Sequence, residues 1–234
     1  MVPVYERALI VGAGSGLSAA LARQFSADEL KVGLAARDVA KLADLARETG
    51  AAVHACDAGD PAAVEALFAA LEPALGGAPD VVVYNASGRL RGAIESLDAA
   101  SVADALRVSA FGGFLVAQAA ARRMLPARHG AILFTGASAS VKGFAGSSPF
   151  AMGKFALRGL AQSLSRELHP KGIHVAHFVI DGAIRNPARV AEAPDAPDSH
   201  LDPEAIARAY RAVLAQDRSA WTSEMELRPW LESF

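Results

Sequence analysis

Gly12, Gly14 and Gly16 punctuate the run Val11-Gly12-Ala13-Gly14-Ser15-Gly16-Leu17, directly after the apolar stretch Ala8–Val11 and before a helix-period segment, Leu17–Phe25. Backbone approaches a pyrophosphate closely only where side chains are absent, and a helix N-terminus offers free N–H groups and positive potential. A glycine turn at the first strand-to-helix junction therefore predicts a phosphate-bearing nucleotide, bound by Gly12, Gly14, Ser15, Gly16 and Leu17. The second apolar run ends Leu34-Ala35-Ala36-Arg37-Asp38. An acid at this place would accept from an adenosine ribose diol, whereas Arg37 suits a 2′-phosphate by charge and by bidentate geometry. The expectation is NADP(H) over NAD(H), against the alternative that Arg37 is a solvated loop residue and Asp38 a helix cap.

Other reactive side chains are less suggestive. His174 and His177 stand three apart in a strand-like run, which sends them to opposite faces, so no metal site is expected. His200 and Asp198 sit in a proline-rich stretch, where polar residues are usually solvated. Met152 reads as packing or pocket lining.

Short apolar runs alternate with longer alanine-rich stretches of helical period. After the first pair come Val32–Ala36 with Val39–Arg47, Ala51–Ala55 with Pro61–Leu75, and Val81–Tyr84 with Ala99–Leu125. Ala131–Phe134 with Phe150–Leu168 and then Ile173–Ile180 complete the series. Strands apolar on both faces belong to a parallel sheet covered on both sides. Asp38, Asp60 and Pro203 mark helix starts, and Gly50, Gly76-Gly77 and Gly172 mark stops. This predicts a three-layer, doubly wound α/β (Rossmann) fold of about seven mainly parallel strands, one domain over 1–234. Asn186–Pro203, with internal prolines at 187, 194 and 197, reads as a long loop suited to act as a lid over 186–203. Trp221–Phe234 holds a short strand-like piece and an aromatic end.

Composition narrows the function classes. The chain has 234 residues, 23 basic and 25 acidic side chains, 52% apolar residues and a single cysteine, Cys56. Without basic blocks there is no electrostatic surface for nucleic acid. One cysteine forms no internal disulfide, which fits a reducing compartment. The N-terminal residues do not read as a targeting segment, and the apolar stretch Val108–Ala121 is interrupted by Ser109, two glycines and Gln118. A cytoplasmic protein with no membrane partner is expected.

These residues together resemble the short-chain dehydrogenase/reductase family along essentially the whole chain. Gly12 and Gly16 stand at the first two positions of its TGxxxGxG fingerprint, with Val11 for the threonine and Ser18 for the last glycine. Cys56-Asp57, followed by Ala58, resembles the acid that touches the adenine. Tyr84-Asn85-Ala86-Ser87-Gly88 resembles the NNAG segment, and Gly130 to Ser138 the strand leading to the catalytic serine. Lys154 with Phe155-Ala156-Leu157 matches the lysine helix, and Asp181-Gly182, near Ile184, replaces the family's Pro-Gly. The resemblance implies cofactor contacts from Asp57, Ala58, Asn85, Ala86, Ser87, Lys154, Asp181, Gly182 and Ile184. It also implies hydride transfer between nicotinamide and a small or medium carbonyl or alcohol, with Ser138 orienting the substrate oxygen. Ser140 is a weaker candidate for that serine.

Two positions of the family's four-residue catalytic set, serine, tyrosine and lysine with a supporting asparagine, depart from the pattern. Phe150 stands four before Lys154, where the family has the tyrosine of YxxxK, and Ser109 stands where its helix asparagine is expected. A phenyl ring gives no proton, and Tyr5, Tyr84 and Tyr210 lie neither four nor seven residues before a lysine. Two readings stay open: an oxidoreductase with an atypical site, its proton coming from Lys154 or a water, or a catalytically silent NADP-binding regulatory or scaffold protein. The helices Ala99–Leu125 and Phe150–Leu168 resemble the family's subunit-pairing helices, implying a homodimer or homotetramer.

Overall fold

The computed structural model describes residues 2–185 and 198–231. Its sheet has seven strands in the order β3-β2-β1-β4-β5-β6-β7. In chain order these are Arg7–Val11, Lys31–Ala36, Ala52–Ala55, Val81–Tyr84, Gly130–Thr135, Ile173–Ile180 and Glu224–Leu227. Every neighbouring pair is parallel, including the edge strand β7, so the sheet is wholly rather than mainly parallel. The helices are α1 (Leu17–Ala27), α2 (Ala43–Thr49), α3 (Pro61–Leu75), α4 (Ala99–Leu106), α5 (Gly112–Met124), α6 (Ser148–Leu168) and α7 (Pro203–Leu214).

Local chemistry sets the boundaries. The Asp60 carboxylate accepts from Ala62 N–H ahead of Pro61, and Gly76 closes α3 in the left-handed region at φ 74°. Asp202 caps α7 in the same way ahead of Pro203. Asp38 accepts from Ala40 N–H and pairs with Lys41 at 3.0 Å, but a 3-10 turn at Ala40–Leu42 intervenes before α2.

The layers follow from two-sided burial. Ile10, Leu34, Val83 and Phe178 on one face pack against Leu21 and Phe25 of α1 and Tyr210 of α7. Leu9, Val82 and Ile132 on the other pack against Phe68 of α3, Val116 of α5 and Leu157 of α6. Leu9, Ile10, Val82, Val83 and Ile132 have no exposed surface. Burying side chains of this size stabilises the fold by roughly 1.5–3 kcal/mol each.

The expected single helix Ala99–Leu125 is interrupted by a π turn at Arg107–Phe111 between α4 and α5. The continuous helical run, Ala99–Ala127, is long and apolar enough to cross a membrane by composition. Here Val116, Ala117, Ala119, Ala120 and Met124 bury one side of it against the sheet, the position of a core helix in a soluble α/β fold. The predicted lid falls mainly on residues 186–197, outside the described residues. Its flanks meet where Ile184 bridges Leu201.

The two strand histidines go to different partners. His174 stacks on Trp221 with ring centroids 4.6 Å apart and bonds the Thr222 carbonyl at 2.8 Å. His177 lies 3.1 Å from a Glu224 carboxylate oxygen. Burial pushes both imidazoles down from 6.5 to about 4. The unfolded chain therefore binds more protons between those values, and stability falls as pH drops through the window. Each histidine contributes on the order of 3 kcal/mol of that loss. Thermal melts from pH 6.5 to 5, above most carboxylate titration, should show a steady fall in Tm; a flat Tm there would contradict buried neutral histidines.

Candidate active site

The carboxyl ends of β1, β4, β5 and β6 open into a cleft of about 1130 Å³. Gly12, Gly14, Ser15, Gly16, Leu17, Arg37, Asp57, Ala58, Asn85, Ala86, Ser87, Ser138, Phe150, Lys154, Gly182 and Ile184 all line it. Of the residues expected at the site, Asp181 and Ser109 are not among those lining it.

The glycine turn is built for close approach on both sides. Gly12 has φ +85°, and a Cβ there would sit 2.3 Å from the Ala86 backbone nitrogen. A Cβ at Gly14 or Gly16 would meet nothing within 4 Å, so that side of the turn is open to the cleft. No side chain caps α1 at Gly16, which leaves its first N–H groups to an incoming anion. The Asn85 amide nitrogen is turned to the glycine turn: it donates to Ser18 Oγ at 2.7 Å, and Ser18 Oγ donates to the Gly12 carbonyl at 3.2 Å. Ser18, which departs from the family fingerprint, thus fastens the turn to the end of β4. Sequence reading assigned Ser18 no role, and its position six residues after Gly12, in the first turn of α1, was the available signal.

Farther along, Asp57 accepts from Gly59 N–H at 2.9 Å and from Arg107 at 3.1 Å. These bonds, the Gly59 one first, hold its carboxyl below the usual range. Arg37 makes no hydrogen bond or ion pair with any described residue and projects at the same end of the cleft. Ser87 Oγ is buried without a partner. Open space over two glycines, an unpaired guanidinium and an orphaned hydroxyl together fit a dinucleotide.

At the other end lie the groups suited to chemistry. Ser138 heads a 3-10 turn after β5, is half-buried, and its hydroxyl makes no hydrogen bond to a described residue. Ser140 is fully buried and bonds elsewhere: its Oγ accepts from Ala137 N–H at 3.1 Å and lies 3.4 Å from His177 Nε2. Geometry therefore separates the two serines. His177 in turn meets Glu224, which Arg158 grips with two bonds of 2.7 Å. This chain, buried at Ser140 and His177 and partly exposed at Glu224 and Arg158, props the turn from behind, and a Cβ at Gly136 would collide with His177.

Lys154, on α6, is only 3% exposed and donates to the Thr135 carbonyl at 2.7 Å. Burial first, and the nearby Arg89 charge second, push its ammonium down from 10.5 to about 7. Its Nζ lies 5.9 Å from the centre of the Phe150 ring, one helical turn earlier. The Arg89 guanidinium lies 5.8 Å from the same ring. Among cleft residues that sequence reading missed, Arg89 has the most direct bearing on the site.

Ser109 sits below the cleft inside the π turn. Its Oγ accepts from Gly88 N–H at 2.9 Å, and Gly153 of α6 closes onto its Cβ. It holds the loop after β4 rather than facing the cavity. Asp181 also points away, pairing with Arg228 at 2.9 Å and Lys142 at 3.7 Å. The three tyrosines are occupied too: Tyr84 donates to the Val108 carbonyl, Tyr210 meets Thr135 Oγ1 at 2.9 Å, and Tyr5 stacks on His129.

Residues 6–193 match the family model described as short chain dehydrogenase. The chain belongs to the short-chain dehydrogenase family. It is 34% identical over 164 residues to a galactitol 2-dehydrogenase (L-tagatose-forming) of Cereibacter sphaeroides, matching 69% of this chain and 63% of that one. A short chain aldehyde dehydrogenase 1 of Euphorbia lathyris is 32% identical over 175 residues, 72% of this chain and 60% of its own. The chain thus spans about three fifths of the length of these two relatives. Among solved structures, a short-chain dehydrogenase from Rhodopseudomonas palustris superimposes with TM-score 0.82 at 33% identity, over 97% of this chain and all of that one. A metagenomic short-chain oxidoreductase in complex with NADP gives TM-score 0.82 at 27% identity, over 97% and 98%. The short-chain dehydrogenase fold is thereby established for this chain.

Proposed function

We propose that this short-chain dehydrogenase is an NADP(H)-dependent oxidoreductase of small or medium carbonyls and alcohols, in which Lys154 replaces the family's tyrosine as proton donor and acceptor. The observation that carries the reading is Lys154 itself: buried at the cleft wall beside Phe150, with burial pushing its ammonium down to about 7. A group poised near neutral pH both gives and takes a proton readily. The nicotinamide supplies or accepts the hydride when bound. In carbonyl reduction the new alkoxide takes a proton from the Lys154 ammonium, with Ser138 Oγ orienting the oxygen. Each turnover leaves a neutral amine that reprotonates from water.

NADPH oxidation against a panel of aldehydes and ketones tests this, with NADPH binding measured separately. Turnover by the native protein supports the reading. NADPH binding with no turnover favours the second reading, a silent NADP-binding regulatory or scaffold protein, which Phe150 and Ser109 recommend because both depart from the family's four-residue set.

NADP(H) is assigned over NAD(H) because Arg37 is unpaired at the end of β2, and the NADP complex of the metagenomic relative agrees. Arg37→Gln should weaken NADPH binding about 10- to 100-fold and leave NADH within a factor of about three, read by fluorescence titration. Equal loss for both cofactors would remove Arg37 from the 2′-phosphate.

A homodimer or homotetramer in the cytoplasm completes the proposal. Phe111, Phe114, Met152 and Phe155, on the α4–α5 and α6 segments, are each more than 40% exposed. A second copy would cover this apolar surface. Phe155→Glu should then yield monomers in size-exclusion chromatography with light scattering; a native monomer would refute the pairing.

A further inference from the structure

The charges lining the cleft are unevenly divided. Its acids, Asp38 and Asp57, lie at the ends of β2 and β3, on the adenosine side. Apart from Arg37 and Lys41 beside those acids, the charged lining residues among those described are Arg89, Arg91, Lys154 and Arg185, all cationic. Arg185 is paired with Asp202 at 2.8 Å, and Lys154 is bound to the Thr135 carbonyl. Arg89 and Arg91 make no hydrogen bond or ion pair with any described residue. Their loop is nevertheless fixed at both ends. Gly88 N–H is held by Ser109, with no room for a Cβ against the Ala105 backbone, and Gly92 N–H donates to the Gly146 carbonyl at 3.0 Å.

Arg89 also meets Phe150, so two cationic side chains, Arg89 and Lys154, lie within 6 Å of one ring centre. Like charges so arranged repel unless an anion sits between or beside them. A guanidinium presents a planar fork that matches a carboxylate, and an aromatic face supports it from one side. Resting on the oxidoreductase reading, we propose that the substrate carries a carboxylate close to its reacting carbonyl, a 2-oxo acid or the matching 2-hydroxy acid, and that Arg89, with Arg91, receives it. The carbonyl then falls at Ser138 and Lys154 while the anion lies over Phe150. A tyrosine hydroxyl at position 150 would compete for that place, and a phenyl ring leaves it open to the anion.

The test compares pyruvate, 2-oxobutyrate and phenylpyruvate with their methyl esters, and dihydroxyacetone phosphate with dihydroxyacetone, by NADPH oxidation. The same compounds are titrated calorimetrically into the protein alone and into its NADPH complex. The expected result is an acid preference of about 10- to 100-fold over the ester, lost in Arg89→Gln through the KM of the acid, while the ester keeps its KM and shows only the shift in pH profile that follows from removing the Arg89 charge beside Lys154. Arg91→Gln should give a smaller loss of the same kind. If neither carboxylate nor phosphate binds below about 10 mM, or if esters match acids, or if Arg89→Gln lowers both equally, the inference falls. A phosphate preference over the carboxylates likewise overturns the stated class. Failure of NADPH to bind would sink the oxidoreductase reading instead, and the titrations without cofactor still decide whether the arginines take an anion.

Discussion

Phe150→Tyr should raise carbonyl reduction about 10²- to 10⁴-fold, the usual contribution of a positioned acid–base group. The ring already sits one helical turn before Lys154 with the ammonium 5.9 Å from its centre, so the variant restores YxxxK without moving α6. A phenol beside a cation loses its proton more readily, because the charge favours the phenolate. Arg89, 5.8 Å from the same ring, adds to that effect. The gain should appear in kcat with NADPH affinity unchanged, since the glycine turn and Arg37 lie at the other end of the cleft. A Phe150→Tyr protein that binds NADPH as before but reduces nothing in the panel would show that the cleft lacks the rest of the machinery. If it reduces neutral ketones faster while losing oxo acids, the hydroxyl has taken the anion's place.

The sequence-based reading succeeded where local rules decide the outcome. Val81–Tyr84, Pro61–Leu75 and Ile173–Ile180 coincide with the observed elements, because apolar runs, an Asp-Pro start and left-handed glycines set them within a few residues. The glycine turn and Ser138 follow strand ends and line the cleft for the same reason, whereas Lys154, on the second turn of α6, was read from the resemblance. The π turn at Arg107–Phe111 was not, since the packing of Gly153 on Ser109 is a contact between segments more than 40 residues apart. Asp181 was expected at the cofactor, yet its carboxylate turns to Arg228 and Lys142. Nothing near Asp181 in the chain reveals a partner that arrives from beyond β7. Arg89 was hidden differently: its position after β4 was plain, but its place over Phe150 depends on two loops meeting at Gly92 and Gly146.

Lys154→Met should lower turnover of the native protein about 10²- to 10⁴-fold, and here stability and activity separate cleanly. Burial pushes the folded ammonium down from 10.5 to about 7. The unfolded chain therefore binds the extra proton between those values, and Lys154 opposes folding most strongly at and below pH 7. Methionine keeps the unbranched stem and removes the buried charge, offset in part by the lost bond to the Thr135 carbonyl. The variant should be no less stable than the parent at pH 7, with any advantage fading as the pH approaches 10.5. A loss of turnover in a protein of undiminished Tm is then a loss of chemistry rather than of structure. The native pH profile supplies the matching sign: reduction, which needs the ammonium, declines as pH rises through about 7, and alcohol oxidation, which needs the free amine, rises over the same range. Turnover that survives Lys154→Met with the same profile would pass the proton to a water held by Ser138, and the lysine would be left with binding alone.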